Sequence, residues 1–134
     1  MDCNDGRFLA PESMIQEVKA YCGEHGQEVP ETPAQLAAVI YNSLAFCYGE
    51  TIKELEQITG QTYSQIHIVG GGANADYLNR LTAKYTDRTV YAGPTEATAI
   101  GNLAAQMLHA GCYENLGQAR NAIFHSFEIK EYRP

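Results

Sequence analysis

The stretch QIHIVGGGANADYLNRL, Gln65 to Leu81, decides the fold. Its opening, Gln65 to Val69, is a compact β-branched run that predicts a strand, and the strand leads straight into Gly70, Gly71 and Gly72. After the glycines the pattern predicts a helix with Tyr77, Leu78, Leu81 and Tyr85 turned inward. Glycines where a strand hands over to a helix permit positive φ and remove the Cβ atoms that would block a ligand. They also aim N–H groups at whatever sits above the strand's carboxyl end. The backbone demands of a tight turn explain one glycine. Three in a row, at the edge where ligands of open α/β sheets gather, point to binding.

The kind of binding is narrowed by what the stretch lacks. No Gly-Lys-Ser/Thr comes after it, so it is not a Walker loop, and Ala75 stands where the dinucleotide fingerprint GxGxxG needs its last glycine. Phosphates held by backbone amides remain compatible with it.

Working outward, Thr89 to Ala92 (TVYA) predicts a second short strand closed by Gly93-Pro94. The 19 residues between the strands contain a crossover helix, so the pair should be parallel. A helix rich in small residues is expected from Thr95 to His109, with Thr95 and Glu96 as capping residues. Its Ala97, Ala99, Gly101, Ala104 and Ala105 suit close backbone packing, while Asn102 suits packing or a pocket wall equally. A last helix should start at Asn115, with Gln118 at the third position, and bury Leu116, Ala119, Ile123 and Phe124.

Upstream, Pro11 suits the first turn of a helix carrying Met14, Ile15, Val18, Tyr21 and Cys22. Thr32 as N-cap, Pro33 at the first helical position and Gln35 reaching back announce a long helix ending at Gly60, about 40 Å at 1.5 Å per residue. The whole is an α/β unit of two parallel strands with about five helices. Two strands do not make an independently stable sheet, so a single partial domain over residues 1–134 is expected, its further strands supplied by chain or partner outside this stretch.

The totals bound the function. At 134 residues one core is the ceiling, and 45% hydrophobic with 19% charged residues is ordinary globular composition. A net charge of −7 argues against nucleic acid or an anionic membrane surface as partner. Cys3, Cys22, Cys47 and Cys112 form no CxxC pair, which fits reduced thiols in a cytoplasmic protein. No apolar run approaches the roughly 20 residues of a membrane span. His67 alternates with isoleucines as sheet histidines do, and His25, His109 and His125 stand near helix ends. No carboxylate pair or metal motif is visible, so no catalytic residue can be nominated. The apolar helix faces and the free sheet edge predict a homo-oligomer.

Four segments carry a resemblance: NDGRFLAPESM at Asn4, PETPAQLAAVIYNSLA at Pro30, IHIVGGGANADYLNRL at Ile66 and AGPTEATAIGNLAAQ at Ala92. In that order and spacing they resemble the last part of the FGGY carbohydrate kinases, and among those the kinases of L-rhamnulose. The resemblance implies a lobe of the ribonuclease H-like, actin/hexokinase type. It also implies an enzyme that transfers the γ-phosphate of ATP, with Mg²⁺, to a ketose. In such kinases the glycine turn lies against the nucleotide, so Gly70, Gly71 and Gly72 carry over as ATP- or ADP-binding residues, with Gly71 foremost. Family members generally place an asparagine where this chain has Ala75, and Asn74 is the neighbour able to take its place. The family's catalytic aspartate and most sugar contacts match no segment here. The resemblance therefore implies a carboxy-terminal ATP-binding fragment, inactive alone. The alternatives are a kinase of another ketose, such as xylulose or fuculose, and a non-catalytic self-associating α/β module.

Overall fold

The computed structural model describes residues 1–134, which form two compact units, Met1–Thr62 and Tyr63–Pro134.

The first unit holds helices α1 (Met14–Glu24) and α2 (Pro33–Thr59), preceded by a 3₁₀ turn, Gly6–Phe8. α2 starts and stops as its sequence predicts. Thr32 Oγ1 accepts from the Gln35 amide, and Gln35 Oε1 accepts from the Thr32 amide. Gly60 ends the helix in the left-handed region at φ 67°, its amide donating to Glu56 O. α1 begins later than its sequence predicts. Ser13, whose hydroxyl accepts from the Gln16 amide, is the N-cap, and Pro11 lies outside the helix. A capping hydroxyl satisfies an otherwise orphaned amide, which a proline at the first position cannot do. Val18, Tyr21 and Cys22 are buried, and the Tyr21 ring meets Phe8 at 5.7 Å and stacks on His25 at 3.9 Å between centroids.

The second unit is a three-stranded sheet in the order β1 (Gln65–Ile68), β2 (Thr89–Ala92), β3 (Lys130–Tyr132), with helices α3 (Asp76–Thr86), α4 (Ala97–His109) and α5 (Leu116–Ser126). β1 and β2 are the predicted parallel pair, in register from Gln65 opposite Thr89 to Ile68 opposite Ala92. The tail supplies an additional strand: β3 runs antiparallel to β2, Tyr132 opposite Val90 and Lys130 opposite Ala92.

Side chains alternate across the sheet, so Ile66, Ile68, Val90, Ala92, Lys130 and Tyr132 share one face, and His67, Tyr91 and Glu131 the other. The first face carries the core of Ala73, Ala83, Val90, Ala92 and Tyr132, with Ile66 and Ile68 packed against it. On the second face His67 stacks on Tyr91 at 5.3 Å, and Phe124 of α5 meets Tyr91 edge-on at 6.2 Å.

α3 is rotated from its predicted orientation: Leu78 and Leu81 are half-buried, but they are not its inner face. Its buried face is Asn79, Thr82, Ala83 and Thr86, spaced i, i+3, i+4, i+7, while Tyr77 and Tyr85 are exposed. Small side chains let the helix lie close on a sheet face made of valine and alanine. The threonine hydroxyls are satisfied locally: Thr82 Oγ1 donates to Leu78 O at 2.8 Å and Thr86 Oγ1 to Thr82 O at 2.7 Å. Two further expectations change. α4 begins at Ala97, with Glu96 at its N-cap making no side-chain capping bond, and α5 buries Ala119 but leaves Leu116 and Phe124 exposed.

Candidate nucleotide site at the carboxyl end of the parallel strands

Two turns leave the same end of the parallel pair. After β1, residues Gly70–Asn74 wind into a 3₁₀ turn before α3 begins at Asp76. After β2, the chain passes through Gly93 and Pro94, joined by a cis peptide, to reach α4. The turns are hydrogen-bonded to each other: the Gly70 amide donates to Pro94 O at 3.0 Å, and the Gly93 amide to Ile68 O at 2.8 Å.

The three glycines are not equivalent. Gly70 has φ 75°, a value glycine adopts without penalty, and its amide is committed to Pro94. Gly72 accepts from the Ala75 amide, and a Cβ on it would make ordinary contact with Ile68 Cγ2 at 3.6 Å. Gly71 is exposed, is not among the residues with positive φ, and would carry a Cβ with nothing within 4 Å. Neither backbone geometry nor packing within the chain demands glycine there.

Asn74, at the end of the 3₁₀ turn, is exposed and lines a cavity of about 220 Å³. Ala73, Gly93, Pro94 and Ile100 form its body, and the tail closes it with Phe127, Glu128 and Lys130. Glu96 and Glu128 give the cavity two carboxylates against the one ammonium of Lys130, whose Nζ is 3.1 Å from Asp76 Oδ1. A wall of that sign repels phosphates and suits an uncharged group, such as a base or ribose. Asn74 therefore shares this cavity with tail residues, while Gly70, Gly71 and Gly72 form the turn beside it. Thr95 and Glu96, predicted as helix caps, both line the cavity, and Glu96 stands at the N-cap without a side-chain capping bond.

The tail's part in this region has no counterpart in the sequence pattern. Gly93, at φ 135°, lies directly under the Glu128 carbonyl. The Tyr132 hydroxyl donates to Asp76 Oδ1, the carboxylate of the first residue of α3. These two hydrogen bonds, from Tyr132 and then Lys130, hold the Asp76 carboxyl below the ordinary aspartate range. Burial, and then the bond to Asp76, push the Tyr132 phenol up.

The model of the FGGY family of carbohydrate kinases, C-terminal domain, matches residues 2–110. The chain belongs to that family. Among similar proteins are the rhamnulokinases of Bacillus subtilis (strain 168), 48% identical over 134 residues, and of Ligilactobacillus salivarius (strain UCC118), 46% identical over 134 residues. Each match covers 100% of this chain and 28% of the relative. The rhamnulokinase of Halalkalibacterium halodurans is 45% identical over 132 residues, 98% of this chain and 28% of its own. The chain thus spans a little over a quarter of the length of these relatives. As an FGGY carboxy-terminal domain it is of the actin/hexokinase type, and its parallel pair with five helices is the expected α/β arrangement.

No group of three His, Cys, Asp or Glu side chains converges as a metal site, and no helix is long and apolar enough to cross a membrane.

Proposed function

We propose that this chain is the nucleotide-binding part of an ATP-dependent kinase of L-rhamnulose and has no meaningful turnover by itself. The observation that carries this reading is Gly71. It is a residue whose lack of a side chain serves nothing inside the chain, at the strand ends where α/β folds bind ligands, beside a cavity of base-like character. Phosphates lie over the turn at Gly71 and Gly72, and the adenosine end enters the cavity past Asn74. Gly70 serves by holding the two turns together.

The residues present do not form a magnesium site, since Asp76 is engaged by Tyr132 and Lys130 and no carboxylates converge. Mg²⁺ belongs with the phosphates of the nucleotide, as it commonly does in phosphoryl transfer. Transfer needs positioned groups on both sides of the γ-phosphate, and this chain offers one side. The choice of sugar rests on the relatives' name; xylulose, fuculose or another ketose is the alternative within the family. The cytoplasm is the compartment such a kinase would occupy.

Titration of ATP and of ADP by calorimetry tests the reading. Binding in the micromolar to low-millimolar range that weakens in Gly71→Val supports it, and silence with both nucleotides refutes it. Rapid ADP formation from ATP, Mg²⁺ and L-rhamnulose by the chain alone would refute its inactivity.

A second reading, a self-associating module without nucleotide, is favoured by α4, which has no buried residue and leaves Leu103 58% exposed. Sedimentation decides whether the chain pairs, and a monodisperse monomer removes this reading.

A further inference from the structure

Tyr132 is bonded into the far side of the glycine turn, 56 residues away from its partner Asp76 in sequence. Three contacts make the connection. The Tyr132 hydroxyl donates to Asp76 Oδ1, and Lys130 Nζ donates to the same oxygen at 3.1 Å. Asp76 opens α3 directly after Ala75, which closes the 3₁₀ turn. Asn79, one turn further along α3 and 0% exposed, donates from Nδ2 to Ala73 O at 3.0 Å. Ala73 is itself part of the 3₁₀ turn. The path from the tail to the turn runs through α3: Tyr132 and Lys130 bond to Asp76, its first residue, and Asn79 of the same helix bonds to the Ala73 carbonyl.

Register explains why these side chains meet. Tyr132 and Lys130 pair with Val90 and Ala92, so both lie on the face that α3 covers, two residues apart and pointing the same way. Tyr132 is 7% exposed and anchored in the core, while Lys130 lies over the helix start. Arg80, one helical turn after Asp76, stands 5.7 Å from the Tyr132 ring centroid and covers the junction. Asn79 Oδ1 is buried without a partner, so this amide is held by its donor side, on Ala73.

The tail that makes these contacts lies beyond residue 110, where the family-wide match ends.

We propose that β3 is a positioning strand for the nucleotide turn: Tyr132 and Lys130, by holding Asp76 and with it the first turn of α3, fix the orientation of residues 70–74 and the amide of Gly71. This rests on the nucleotide reading above. Tyr132 lies outside the cavity lining and acts through α3 as a positioning residue; Lys130 holds Asp76 and also lines the cavity, so its positioning part is read in the unliganded chain. Without them the turn keeps its bonds from Gly70 to Pro94 and from Asn79 to Ala73 but α3 loses its hold at Asp76, and the turn before it samples more orientations. A ligand must then restrict that motion on binding, which lowers affinity without removing a contact.

The test uses the 134-residue chain, ATP, and the variants Tyr132→Phe, Lys130→Met and Lys130→Arg. Tyr132→Phe keeps the ring in the core and removes one hydroxyl, and the expected result is an ATP Kd raised about 5-fold. Lys130→Met raises it less, and Lys130→Arg, which keeps charge and donor, restores the parental value. In the unliganded chain the amide resonances of Gly71 and Gly72 shift in Tyr132→Phe while those of Gln65 and Thr89 stay in place. An unchanged Kd together with unchanged glycine resonances overturns the proposal. So does a loss of affinity matched by an equal loss of folded fraction in circular dichroism, because that is what a purely structural tyrosine would give. Should Tyr132→Phe fail to fold, the Gly71 and Gly72 resonances of unliganded Lys130→Met decide, and unchanged positions there overturn the proposal. Failure of the parent chain to bind ATP removes the nucleotide reading and this one together; binding by the parent with indifferent variants removes this one alone.

Discussion

Gly93 and Glu128 approach so closely that a Cβ built on Gly93 would stand 2.5 Å from the Glu128 carbonyl oxygen. The contact is backbone against backbone, so no side chain can swing away to relieve it, and Gly93 is also at φ 135°. Gly93→Ala should therefore cost about 2 kcal/mol or more, from a conformation alanine disfavours and a clash that displaces the tail. The urea midpoint of the chain should fall with little change in slope. A variant as stable as the parent would mean that the tail does not lie over Gly93.

Gly70 and Gly71 should respond in opposite ways to the same change. At Gly70, φ 75° makes an added Cβ cost about 1 kcal/mol, although space allows it, with Thr95 O 3.9 Å away. At Gly71 the backbone is ordinary and the space empty, so Gly71→Ala should be neutral to within about 0.5 kcal/mol, or slightly stabilising through the unfolded chain. Urea unfolding of both variants measures this. A Gly71→Ala change costing as much as Gly70→Ala would give Gly71 a structural reason to be glycine and remove the main support for a ligand there.

Local signals carried the long elements well. The triple start signal of α2 at Thr32, Pro33 and Gln35 was legible because capping is chemistry between residues three apart, and the left-handed stop at Gly60 because only glycine adopts that turn freely. The parallel pair was legible because a 19-residue crossover leaves a parallel arrangement as the natural one. α3 was misread because tyrosines and leucines outrank threonine and asparagine on any hydrophobic scale. A helix lying against Val90 and Ala92 instead selects small side chains whose hydroxyls bond their own backbone. β3 was illegible for another reason: three residues are too few to show a period of two, and the strand exists because β2 offers it an edge. The glycine turn was visible as a candidate site, whereas the bonds of Tyr132 and Lys130 to Asp76 beside it were not, since no local pattern links residues 54 and 56 positions apart.

The cap of α2 gives a prediction independent of the nucleotide site. Thr32 Oγ1 accepts the Gln35 amide at 3.2 Å, and the reciprocal bond to Gln35 Oε1 is 2.9 Å. Thr32→Ala removes the first and loosens the second, and should cost about 1 kcal/mol. Thr32→Ser keeps the acceptor and should cost little. Comparing thermal midpoints of the two variants checks this, and equal midpoints would mean that the capping box is not formed in solution.

The junction of β3 with α3 should hold between two pH limits set by its own groups. The groups facing Asp76 are Tyr132 and Lys130 from β3 and Arg80 from its own helix, and all favour its ionised form. With the folded carboxyl held below the unfolded value of about 3.9, its contribution is complete above that value and is lost as pH falls through the lowered one. Tyr132 and Lys130 shift the other way: burial raises the phenol first, and the bond to Asp76 raises the ammonium. Their contribution is complete below the unfolded values of about 10 and is lost as pH climbs through the raised ones. The Asp76 and Lys130 side chains are about half exposed, so screening by salt should weaken their ion pair and leave the Tyr132 hydroxyl bond in place. Carbon-13 shifts of labelled aspartate and tyrosine report each group directly. Asp76 should titrate below the ordinary aspartate range, Tyr132 above the ordinary tyrosine range, and Tyr132→Phe should return Asp76 toward its ordinary range. An Asp76 that titrates in the ordinary range, unaffected by the loss of the Tyr132 hydroxyl, would mean that strand and helix are not joined there.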